Sequence, residues 1–84
     1  MPLGTYHLQQ DLAAEAHAQW SHWMKYLFTC GTLNVDGSFT IPADKVERWQ
    51  RQMNTDYSGL SEKEQISDIE MVNRYLAILG EHLS

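Results

Sequence analysis

The chain has 84 residues, of which 43% are hydrophobic and 20% charged, and eleven acidic against six basic side chains give it a net charge of −5. That length and composition describe one small globular domain, and the charge repels nucleic acid and anionic membrane unless Lys25, Lys45, Arg48, Arg51, Lys63 and Arg74 gather on one face. A lone cysteine, Cys30, excludes an internal disulfide and a multi-cysteine zinc site and fits a reducing compartment.

The opening "MPLGTYHLQQ" has neither the basic start nor the apolar stretch of a signal peptide, and no apolar run approaches the roughly 20 residues that span a bilayer. A soluble cytoplasmic protein is expected. The first predicted helix runs from about Tyr6 to Phe28. Leu8, Leu12, Ala16, Trp20, Trp23, Met24 and Leu27 recur on it at the three-and-four spacing of a single apolar stripe. Gly31 is expected to end it in a left-handed cap. Next, "TLNVDGSFTIP" places Asp36-Gly37 between Leu33/Val35 and Phe39/Ile41, the pattern of a tight turn in a small hairpin. Pro42 suits the start of a second helix over about 43–54, with Val46, Trp49 and Met53 as its apolar stripe. "NTDYSG" interrupts the chain. Ser61 and Glu64 then have the spacing of a capping box, opening a third helix over about 62–79 with Ile66, Ile69, Val72, Leu76 and Leu79 on one face and Gly80 as its stop. The expectation is an all-α, three-helix domain over residues 1–84, with a short hairpin-like connection between helices 1 and 2. Its core is expected to be Leu12, Trp20, Trp23, Leu27, Val46, Trp49, Ile66, Ile69, Val72, Leu76 and Leu79.

The densest chemistry lies in "HAQWSHWMKY". His17 and His22 are five residues apart and diverge by roughly 140° on a helix, so they cannot form the one-turn pair that a helical metal site uses. The loop Thr32–Ala43 carries Asn34, Asp36, Gly37 and Ser38 at calcium-loop offsets. It lacks the first acidic ligand (Thr32) and the closing glutamate (Ala43), and so reads as a turn. Cys30 has no base partner in the sequence and no glycine-rich phosphate loop is present. Neither a catalytic site, nor a metal, nor a cofactor is expected, and the chain reads as a non-enzyme.

Two binding classes fit instead. Trp20, Trp23, Trp49 or Tyr57 could stack on a base while Arg48, Arg51 or Arg74 pair its phosphates, which would make a ligand-sequestering module. The proposed ligand site is Trp20, Trp23, Arg48, Trp49, Arg51 and Tyr57. Alternatively, the same aromatic and methionine-rich composition could dock on a protein, as an inhibitor or assembly factor does. Three Trp, four Tyr and four Met exceed what so small an interior hides, which predicts a homodimer interface or a pocket between protomers.

The run Tyr57, Leu60, Ser61, Glu62, Lys63, Glu64, Asp68, followed by an apolar helix ending "YLAILG", resembles the second half of the ryanodine-receptor-type repeat domain. The early tryptophan helix of that domain is matched by "HAQWSHWMKY". The chain is also similar to small phage-encoded proteins that carry a "W-x-x-W-M-x-Y" helix, an "IP" helix start and an "RW-x-RQM" segment. Here these are Trp20, Trp23, Met24, Tyr26, Ile41, Pro42, Arg48, Trp49, Arg51, Gln52 and Met53. The resemblance implies a phage or prophage protein acting in the host cytoplasm. Its expected role is anti-defence: sequestration of a nucleotide-type immune signal, or docking on a host or virion protein.

Overall fold

The computed structural model describes residues 3–83, with side chains from His7 onward. Three helices and one two-stranded ladder follow in the order α1 (Leu3–Leu27), β1 (Thr32–Leu33), β2 (Phe39–Thr40), α2 (Ala43–Met53), a 3₁₀ turn (Tyr57–Gly59) and α3 (Glu62–Leu83). The chain is therefore the small three-helix, all-α protein that the periodicities predict.

The element ends have local causes. α1 stops at Leu27 in a tightened turn, where Thr29 and Cys30 donate their N–H groups to the carbonyls of Tyr26 and Leu27. Gly31 does not act as a left-handed cap, because Gly37 is the one described residue with positive φ, at 90°. Gly31 is needed for space: a Cβ there would lie 2.2 Å from the Thr40 carbonyl oxygen and 2.8 Å from the Phe39 ring. β1 and β2 pair antiparallel, Thr32 with Thr40 and Leu33 with Phe39. In the turn, the Asp36 carboxylate accepts from the Ser38 N–H (3.0 Å) and hydroxyl (2.6 Å), while the Asn34 amide donates to Ser38 and Thr40. These Ser38 donors, the hydroxyl first, hold the Asp36 carboxyl below its usual pKa. Phe28 meets Phe39 edge-on at 5.0 Å and seats the hairpin on the end of α1.

Pro42 occupies the cap position of α2, its carbonyl accepting from Lys45 and Val46. At the start of α3 the predicted capping box is present in both directions: Glu64 N–H donates to the Ser61 hydroxyl (3.2 Å) and Ser61 N–H to the Glu64 carboxylate (3.0 Å). α3 runs through Gly80 to Leu83 instead of stopping there. A mid-helix glycine costs only about 1 kcal/mol relative to alanine, and His82 beyond it is tied to Asp11 of α1 at 2.8 Å.

α1 and α3 lie side by side and antiparallel, as the pairings Asp11–His82, Glu15–Arg74 (3.9 Å) and Gln19 to the Met71 carbonyl (3.2 Å) require. Asp11, Glu15 and Gln19 line the edge of α1 that meets α3, and the half-buried Leu8, Leu12, Met71, Ile78 and Leu79 fill in around this polar seam. None of the described residues is buried, so the expected core is corrected. Leu12, Leu27, Trp49 and Leu79 are half-buried, whereas Trp20, Trp23, Val46, Ile66, Ile69, Val72 and Leu76 are exposed. The reason is geometric. The molecule is flat and elongated, measuring 52 × 34 × 16 Å. Its radius of gyration, 17.0 Å, compares with about 12 Å for a compact domain of this length. None of the helices, over the described residues, is long and apolar enough to cross a membrane.

Candidate ligand cleft and apolar face

Two surfaces could carry function. The first is an open cleft of about 1000 Å³ where α2 leans across the C-terminal half of α1 and the start of α3. α1 contributes Trp23 and Tyr26, α2 contributes Arg48 and Trp49, and α3 contributes Lys63 and Asp68. A run of edge contacts passes along α1 and ends on α2: His22–Trp23 at 5.7 Å, Trp23–Tyr26 at 6.0 Å and Tyr26–Trp49 at 6.5 Å. On the far side α2 is tied to α3 through one carboxylate. Glu64 accepts from the Arg51 guanidinium at 2.8 Å and also from the Gln52 amide. The Arg51 contact first, then the Ser61 N–H and Gln52, pull the Glu64 pKa down to about 2.

Of the six residues expected to bind a ligand, the cleft brings together Trp23, Arg48 and Trp49. Trp20 is not among its walls: it is 61% exposed further along α1, stacked on His17 at 5.8 Å. Arg51 is engaged by Glu64, and Tyr57 sits in the 3₁₀ turn, where its carbonyl accepts from Gln65. Arg74 pairs with Glu15 on the seam. Tyr26 and Lys63 were missed as cleft residues. Tyr26 was findable, being one turn beyond Trp23, whereas Lys63 looks from sequence like a solvated residue of the helix start. Beside Arg48 and Lys63 the cleft also holds Glu64 and Asp68, so its charge is balanced and not cationic. Glu64 and Asp36 are both held ionised by their donors, the opposite of what a general acid needs. His17 and His22 contact different tryptophans, and among the described residues no three His, Cys, Asp or Glu lie together as metal ligands.

The second surface was expected to be interior. About a third of a turn round from the seam, α1 presents Ala13, Ala16, Trp20, Trp23 and Leu27, and α3 presents Ile69, Val72, Leu76, Leu79 and Leu83. Because the helices are antiparallel, both rotations lead to the same side of the layer. The two stripes thus open on one apolar face, with Val72 49% and Leu76 55% exposed, and at its α2 end this face shares Trp23 and Leu27 with the cleft.

No family model, curated protein or solved structure matches the chain.

Proposed function

We propose that this chain is a non-catalytic protein-interaction module whose working surface is the apolar face shared by α1 and α3. One observation carries the reading: a chain of 84 residues leaves every described residue short of burial while aligning two unbroken apolar stripes on one side. Water-exposed stripes of this length are unfavourable by roughly 25 cal/mol per Å², and a partner that covers them recovers that energy less the entropy lost on association. The phage resemblance supports placing this surface at work in a host cell, where a host or virion component, or another copy of the chain, is at hand to cover it. The test is the dilute chain, at nanomolar concentration. An apolar dye should bind it, and acrylamide should quench its tryptophans freely. A cooperatively melting chain that ignores the dye and shields its tryptophans would overturn the reading.

A second reading rests on the cleft, where Trp23 and Trp49 stand beside Arg48. Two indole rings and a guanidinium suit the base and phosphate of a nucleotide-type ligand, as a sequestering module requires. The balanced charge there places this reading second. Thermal-shift screening against cyclic dinucleotides and adenosine-diphosphate-ribose derivatives tests it: a rise in melting temperature that Arg48→Ala removes supports it, and no shift with any of them contradicts it.

A further inference from the structure

We infer that the partner covering the apolar face is a second copy of this chain, so that two α1–α3 pairs close face to face into a four-helix bundle. The inference rests on the docking reading and names its partner.

The first argument is area. The chain exposes 6713 Å², whereas a folded monomer of 9.7 kDa exposes about 5,100 Å², leaving an excess of about 1,600 Å². Two copies hiding that excess from each other would bury about 3,200 Å² in total, within the range of permanent homodimers and about twice a standard transient interface.

The second argument is pattern. Ala13, Ala16, Trp20, Trp23 and Leu27 follow intervals of three, four, three and four, and Ile69, Val72, Leu76, Leu79 and Leu83 repeat the same intervals. Those are the a and d positions of a heptad, the spacing by which helices interlock along their length. Both helices carry it in step, over matching lengths and on one side, as a bundle half requires. On α1 the large Trp20 and Trp23 face out beside the small Ala13 and Ala16, and α3 presents branched side chains of intermediate size. A two-fold operation can therefore set each against its complement, self-complementarity that an isologous interface demands.

Charge supplies the third argument. Each copy carries −5, which would oppose association through charged surfaces. Neither stripe contains a charged residue, and on the seam between them Asp11 and Glu15 are already engaged by His82 and Arg74. Finally, stacking two such thin layers produces the two-layer interior that a single copy lacks.

Sedimentation equilibrium over a wide concentration range, with melting followed in parallel, tests this. At micromolar concentration the expected mass is twice 9.7 kDa, with a melting temperature that rises with protein concentration. Leu76→Ala, which retains a good helix former, should weaken the dimer at least about tenfold with helicity kept, and Val72→Glu should abolish it. A dimer indifferent to both substitutions would overturn the inference. So would a chain that stays at 9.7 kDa up to hundreds of micromolar. In that second case dye binding separates the two claims: a monomer that binds the dye leaves docking on a different protein standing, and a dye-silent, cooperatively melting monomer ends both.

Discussion

The two ends of this molecule solve the same problem differently. At the cleft end, a ring contact joins α2 to α1, an ion pair joins it to α3, and the hairpin is seated on the end of α1, all within one chain. Along the α1–α3 stem the chain supplies a polar seam flanked by a few half-buried apolar residues and leaves its largest apolar side chains facing water. The cleft end is completed by its own sequence, whereas the stem is half of a structure. That contrast explains how a chain rich in tryptophan can be mostly helical and yet bury none of its described residues.

The largest effect should come from placing a charge on the stem face. Leu76→Glu would bury an unpaired carboxylate in any assembled state, and circular dichroism should show loss of helix together with loss of assembly. The same change at Met53, 76% exposed on α2, should alter stability by no more than about 0.5 kcal/mol. Equal effects at both positions would erase the distinction between the two ends. Next in size is Gly31→Ala. Its new Cβ falls on the Thr40 carbonyl, so β2 must move, and the melting curve should register a loss of about 1–3 kcal/mol. Ser61→Ala removes one half of the capping box and should cost about 1 kcal/mol by denaturant titration.

The acid limb of stability sharpens the comparison further. Glu64 ionises with a pKa of about 2 when folded, against 4.5 ordinarily, so the unfolded chain binds the extra proton between those values. Its contribution is complete above about pH 4.5 and is lost as pH falls toward 2. Melting temperatures across that window should slope less in Glu64→Gln than in the parent. Identical slopes would mean that the contacts joining α2 to α3 do not survive in solution. Smallest of all, Arg48→Ala should leave stability within about 0.5 kcal/mol while removing any nucleotide-induced shift.

Local chemistry was legible in the sequence and long-range coverage was not. The Ser61–Glu64 box and the Asp36-Gly37 turn follow from residues a few positions apart. Gly31 was misread because its constraint comes from Thr40 and Phe39 across the ladder, which a cap rule cannot see. Trp20 shows the deeper limit. Three-and-four spacing says which side chains share a face, but the face of a half-bundle and the face of a core have the same periodicity, and what covers them is decided outside the chain. Arg51 was assigned to a ligand although Glu64, thirteen residues on, takes its charge.

The most direct measurement is hydroxyl-radical footprinting of Trp20 and Met53 in one sample, from nanomolar to tens of micromolar protein. Both are exposed in the single chain, but only Trp20 lies on the face that a second copy would cover. Oxidation of Trp20 should fall severalfold as concentration rises while that of Met53 stays level. If both residues are oxidised at unchanged rates across the whole range, the stem face is not covered by a second copy.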